Sequence, residues 1–177
     1  LFSLLSTTQQ IFDVTFGRAD TFHLWFGAIA VAAASSGLVN ASLVVRVGML
    51  PLVRVMLSVQ ILASSAMMAV WFADLGPGVT FAGFILWKTT LFYQAGMTIG
   101  NINALAMEPM GHIAGTATSA LGALATVGAV AVAIPVGLSF DGTPMPLAGG
   151  VFVMALCALL VVYRIGRVQA GMVVKNT

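Results

Sequence analysis

The residues able to do chemistry are few in this chain and lie far apart. Its 177 residues hold five Asp or Glu, seven Lys or Arg, two His and one Cys. His23 and His112 make no ligand cluster. Cys157, alone in an apolar run, excludes a disulfide framework or a thiolate metal site. No Ser, His and Asp come together in the sequence as a nucleophilic set, no two carboxylates pair, and no glycine loop stands ready to cradle a phosphate. The reading is a chain that is not an enzyme and needs no cofactor and no metal. What remains is Lys88, an ammonium in an apolar stretch, followed on the same stretch by Gln94, Asn101 and Asn103. Asp13 stands in another such stretch near the start. A cation and amides set in apolar surroundings suit binding and conduction of polar groups rather than bond-making.

The medium around them follows from composition. Hydrophobic residues make up 60% of the chain and charged residues 7%, and mean hydropathy is +1.06. A soluble domain carries about 25% charged residues, so this chain cannot dress a water-facing surface. A soluble enzyme and a disordered chain are excluded. The sequence pI of 9.1 comes from scattered single charges, without the basic patch that nucleic acid requires. The composition is that of an integral membrane protein whose first partner is the lipid bilayer.

A helix needs about 20 apolar residues to cross the hydrocarbon core. Polar and turn-forming breaks divide the chain into segments near that length, at residues 1–17, 22–45, 56–72, 79–107, 113–138 and 147–163, with residues 164–177 as a tail. The breaks are Arg18-Ala19-Asp20, the stretch from Arg46 to Arg54, Asp74 to Gly78, Glu108 to His112, and Asp141 to Pro144. Five full spans and the latter part of a sixth are expected. The short first segment, with no initiator Met and no cleavable leader pattern, reads as the middle of a helix in a longer chain. Alternate breaks collect Arg46, Arg54, Arg164, Arg167 and Lys175 against Glu108, while the others collect Arg18 against Asp20, Asp74 and Asp141. Basic short loops stay cytoplasmic, which predicts a multi-pass protein with a cytoplasmic C-terminus.

Within that frame Lys88 lies about nine residues into the fourth span, roughly 14 Å deep. A lysine there costs at least ~2.5 kcal/mol unless it meets a cavity or an anion. It either lines a cavity or is a snorkelling or structurally paired lysine. Asp13, about four residues from the outer end of its segment, reads as a wetted vestibule carboxylate. Gln94 and Asn101 are seven apart and share a helix face, so they line a central cavity or bond between helices. Gln9, Gln10, Asn40 and Gln60 carry the same pair of readings. Trp25, Trp71 and Trp87 read as interface anchors. Glycines and small residues four apart, as in Gly96–Gly100, Gly111–Gly115–Ser119 and Gly122–Thr126, predict close helix approaches.

The run Asn101-Ile-Asn103-Ala-Leu-Ala-Met-Glu108-Pro109-Met-Gly111-His112-Ile-Ala-Gly115-Thr-Ala117 resembles the junction between helices 10 and 11 of the Bcr/CflA-type drug efflux branch of the major facilitator superfamily. Asp141-Gly-Thr-Pro144-Met-Pro146-Leu147 and Gln10-Ile-Phe-Asp-Val-Thr-Phe16-Gly17 resemble that branch as well. The resemblance covers essentially the whole chain. It implies an all-α membrane fold, the C-terminal six-helix half (helices 7, partial, to 12) of a twelve-helix transporter in the bacterial inner membrane. It also implies a partner in a missing N-terminal half, a substrate cavity between the halves near Lys88, Gln94 and Asn101, proton-coupled efflux of drugs or small amphiphilic metabolites, and a cytoplasmic turn from Glu108 to His112. A non-transporting membrane bundle and a half-transporter that dimerises are the alternatives.

Overall fold

A computed structural model describes the backbone of residues 7–175 and the side chains of residues 7–167 other than that of residue 112. Every regular element among the described residues is helical. Helix α1 spans residues 7–15, its last part, Ile11–Thr15, wound as a π-helix. A single 3-10 turn, Ala19–Thr21, leads into α2, Phe22–Val47. Then come α3, Met49–Phe72, and α4, Pro77–Met107. A 3-10 segment, Glu108–Ile113, joins α4 to α5, Ala114–Leu138, and α6 runs Met145–Lys175. The first six residues of the expected 1–17 segment lie outside the described residues.

Most helix ends fall at the turn chemistry. Gly76, at φ +93°, hands over to Pro77 at the first position of α4, where a missing N–H costs nothing. Two boundaries differ from expectation. The stretch from Arg46 to Arg54 contains only one non-helical residue, Gly48 at φ +83°, so α3 begins at Met49 rather than Met56. Pro51 sits in its first turn, where backbone N–H groups have no helical partner in any case. The second difference is at the other end of the chain. Residues 164–175, expected as a tail, continue α6 as helix; the Lys175 side chain lies outside the described residues.

The chain is an all-α membrane protein. Four of its helices, Ala19–Val47, Met49–Phe72, Ala114–Leu138 and Met145–Arg167, are long and apolar enough to cross a bilayer. Large apolar side chains face outward on them: Leu38 is 79% exposed, Leu62 69% and Leu124 70%. Helix α4 is long enough but is not among the four. Lys88, Gln94 and its threonines lower its hydropathy, and the packing explains how it bears them. It lies between α2 and α3, and α3 in turn packs on α6. Nine α4 residues are buried, including Lys88, Thr98 and Asn101. A helix screened by its neighbours can keep polar groups that a lipid-facing helix cannot.

The two ends of the bundle differ in charge. At one end Thr15 Oγ1 donates to the Gly142 carbonyl at 2.8 Å, Arg18 lies 4.3 Å over the Phe81 ring, and Thr15, Trp71, Asp74 and Pro77 share a hollow. The first, third and fifth breaks therefore lie at this end, which carries Asp20, Asp74 and Asp141 as well as Arg18. At the other end Arg54 lies against Gly166 of α6, near Arg164 and Arg167. Alternate breaks gather at opposite ends, as a multi-pass arrangement requires.

Candidate functional site

The aromatic core comes first because it holds the polar centre in place. Phe12 of α1 meets Phe22, Phe81 and Phe84 edge-on, with centroids 5.2, 5.6 and 5.9 Å away. Phe16 and Trp25 close on Phe81 at 5.1 and 5.2 Å. Edge-to-face pairs at these distances add to the packing of their buried area. The cluster fixes the short α1 against α2 and α4, with Ile11, Phe12, Phe84 and Trp87 at its buried centre.

Directly beside it is Lys88, fully buried. Its Nζ donates to Thr8 Oγ1 of α1 at 2.6 Å and lies 5.5 and 5.7 Å from the rings of Phe84 and Trp87. Of the two sequence readings, the observed contacts are those of a structurally paired lysine joining α4 to α1. The buried cation is offset by a hydrogen bond and by two aromatic faces.

On the neighbouring face of α4, Trp87 is 2% exposed and its Nε1 donates to Ser64 Oγ of α3 at 3.1 Å. This corrects the expectation of an interface anchor. The indole is a core group, and its N–H has the partner that burial demands. Gln60 Nε2 donates to the same Ser64 oxygen at 3.4 Å, while Gln60 Oε1 is buried without a hydrogen-bond partner among the described residues.

The amides expected to line one cavity face different neighbours. Gln94 Nε2 donates to Thr98 Oγ1 at 3.0 Å, and Gln94 borders a cleft. Two turns further along, the neighbour is α2: Asn101 Nδ2 donates to Asn40 Oδ1 at 2.7 Å and to the Met97 carbonyl at 2.8 Å. Asn101 thus takes the interhelical reading. Asn103 and Asp13 are exposed and are brought to neither group. Gly96 is a true close approach: a Cβ there would run into the Ser36 hydroxyl of α2. The other predicted small faces are open. Gly100, Gly111, Gly115 and Gly122 have nothing near the position a Cβ would take.

The cleft encloses about 320 Å³ between α3, α4, α5 and α6. Leu57 and Gln60 come from α3, Leu91 and Gln94 from α4, Val132 and Val136 from α5, and Leu147, Gly150, Val151, Met154, Ala155 and Ala158 from α6. It exists because α5 is sparsely held. Only Ala117 of α5 is buried, though Val136 presses so closely on Gly150 that a Cβ there would stand 2.8 Å from Val136 Cγ2. Thr8, Ser64 and Trp87 were not legible as partners, since nothing in their spacing tells which helix they meet. Gln60 was visible only as an amide in an apolar run.

The turn expected from Glu108 to His112 folds as the 3-10 segment Glu108–Ile113, with Met110 at φ −113°, ψ 21° breaking the helical path. Glu108, Pro109, Gly111 and Gly115 are exposed, and the His112 side chain lies outside the described residues. At the opposite end Thr143 donates its N–H and hydroxyl to Asp141 Oδ1 at 3.0 and 2.6 Å. The Thr143 hydroxyl holds the Asp141 carboxyl below the usual carboxylate range. The chain matches no known family, no curated protein and no solved structure.

Proposed function

We propose that the chain is the six-helix C-terminal half of a major facilitator superfamily transporter of the Bcr/CflA type. In this reading the complete transporter, of which this chain is one half, carries out proton-coupled efflux of drugs or small amphiphilic metabolites across the bacterial inner membrane. The observation that carries the reading is α4: a membrane-length helix too polar for lipid, buried among its neighbours, with Lys88, Gln94 and Asn101 spaced along it. A transport path needs polar groups at depth, and Gln94, unlike Lys88 and Asn101, is not spent on a bond between helices. The Asn101–Ala117 run supports the same family. The bare face of α5, with Gly115, Ser119 and Gly122 uncovered, suits close approach by a second six-helix half. The basic end of the bundle would face the cytoplasm.

Alternating access needs two walls that rock against each other, and this chain supplies one. The test is reconstitution in proteoliposomes with an imposed pH gradient. The 177-residue chain alone should extrude no amphiphilic drug, and the reading frame that joins it to an N-terminal six-helix half should. A joined protein that moves no such compound under any gradient overturns the proposal. Lys88→Met in the joined protein should shift its resistance profile toward cationic drugs. An unchanged profile would leave Lys88 with its packing role alone.

A further inference from the structure

The basic end of the bundle gathers three guanidinium groups about one turn of α6. Arg164 and Arg167 are exposed on that helix. Arg54 of α3 lies against Gly166, which stands between the two in sequence, and is 4.8 Å from the Tyr163 ring. Like charges so gathered repel, and a nearby acid would relieve them. Of the five acids in the chain only Glu108 belongs to this end, and it opens the segment joining α4 to α5. Among the described residues no ion pair links it to these arginines. The depth of the cluster matters as much as its charge. From Met145 to Tyr163 helix α6 carries no charged residue, a length of about 27 Å against a hydrocarbon core of ~30 Å. Arg164 and Arg167 therefore begin where hydrocarbon ends. Leu160, Tyr163, Arg164 and Arg167 border one hollow and follow the i, i+3, i+4, i+7 spacing of a single helix face. The same face continues into the apolar span through Leu156 and Val153, 40% and 54% exposed.

We infer that this face of α6 is a docking site for an anionic phospholipid, its phosphate held by Arg164 and Arg167 and an acyl chain lying along Leu160, Leu156 and Val153. Guanidinium groups three residues apart on a helix are neighbours, and each can give a phosphate paired, charge-assisted hydrogen bonds. Arg54 adds a third positive charge from the α3 side. Basic pockets at the ends of membrane helices recognise anionic headgroups by this chemistry. A zwitterionic lipid brings its own ammonium group, which cancels the charge that the cluster attracts. The inference rests on membrane insertion and not on the transport reading.

The test uses the 177-residue chain in phosphatidylcholine nanodiscs doped with either of two photoreactive lipids, a phosphatidylglycerol or a phosphatidylcholine with the same diazirine-bearing acyl chain. After photolysis, the ratio of anionic to zwitterionic adducts is read at each labelled residue. At Val153, Leu156 and Leu160 it should exceed the ratio at lipid-facing Leu62 and Leu124 by about five-fold for each arginine engaged. Arg167→Gln should lower that excess by about five-fold. Arg46→Gln removes the same charge from an exposed position on α2 at the same end, and should leave the α6 ratio within about two-fold. Glycerol phosphate in solution should not compete, because it lacks the chain that packs on the apolar face. Equal labelling of α6 by the two lipids overturns the inference. So does an anionic excess of the same size at Leu62 and Leu124, or an effect of Arg46→Gln as large as that of Arg167→Gln, since either reports only the general charge of that end. Competition by glycerol phosphate overturns it in favour of a soluble phosphate ester. The comparison of the two lipids on the unaltered chain decides the matter even if a variant does not fold.

Discussion

Helices α4 and α5 are neighbours in sequence, joined by six residues, and they solve opposite problems. Helix α4 is the less apolar of the two and is the more buried, with nine residues inside the bundle. Helix α5 is apolar enough to cross a bilayer and buries only Ala117. In a soluble protein apolar character marks the interior. Here the exterior is apolar as well, so hydropathy reports contact with lipid, and the interior is marked by groups that lipid would not tolerate. The polar helix is the core.

The largest test of that contrast is truncation on each helix. Phe84→Ala removes a fully buried ring that touches Phe12, Phe16 and Trp87. It should cost about 3–5 kcal/mol in reversible unfolding from mixed micelles. Leu124→Ala on α5, where the side chain is 70% exposed, should cost no more than ~0.5 kcal/mol. Comparable costs would mean that α5 packs as α4 does, and the contrast would fail.

Adding volume inverts the experiment. Gly96→Val drives a branched side chain into Ser36 and should cost about 1–3 kcal/mol. Gly122→Val meets open space and should leave stability within ~0.5 kcal/mol. Ser36→Gly in the Gly96→Val background should restore part of the loss. No rescue would place the strain elsewhere than between α2 and α4.

These helices were legible to different degrees. Gly76–Pro77, Glu108–Pro109 and the Asp141–Pro144 turn set helix limits because their backbone preferences are local. The start of α3 was not legible: Arg46 and Arg54 look like loop charges until the Arg54 guanidinium is seen lying along α6. The π-winding of Ile11–Thr15 has no sequence signal. Of the site, Lys88, Gln94 and Asn101 stood out because a polar group in an apolar helix is conspicuous. Their partners did not, because an apolar stripe cannot show which side of a helix meets protein when every side is apolar. The cleft was hidden for the same reason, being drawn from four helices that share no motif.

A finer test addresses the lysine. Lys88→Met keeps the stem volume while removing both the buried charge and the bond to Thr8. Global stability should change by less than ~1.5 kcal/mol. Amides of residues 7–15 should exchange faster, while those of α4 stay protected. Unaltered exchange in α1 would show that the aromatic cluster alone holds that helix.

The smallest effect lies at the turn between α5 and α6. Because the folded state depresses the Asp141 carboxyl, its stabilising contribution is present above the ordinary carboxylate value and is lost as pH falls through the lower, folded value. Protection of the Thr143 N–H, the slowing of its exchange relative to that of an unstructured amide at the same pH, should fall on acidification below about pH 4. In Thr143→Val, which lacks the hydroxyl bond to Asp141, the loss of protection should begin at a higher pH. An identical profile in both proteins would remove the hydroxyl from the account.

Gly166 gives the pairing of α3 and α6 something their apolar surfaces lack. Its missing side chain is occupied by the Arg54 guanidinium, whose Cζ would stand 3.0 Å from a Cβ placed there. The same guanidinium lies 4.8 Å from the Tyr163 ring. Apolar helices in lipid have little to stop one sliding past the other, since each new register buries much the same surface. One turn back along α6 stands Val162, whose Cβ would push the guanidinium out of the socket. The arginine and the glycine act as a key and a notch, favouring one register between two otherwise slippery rods.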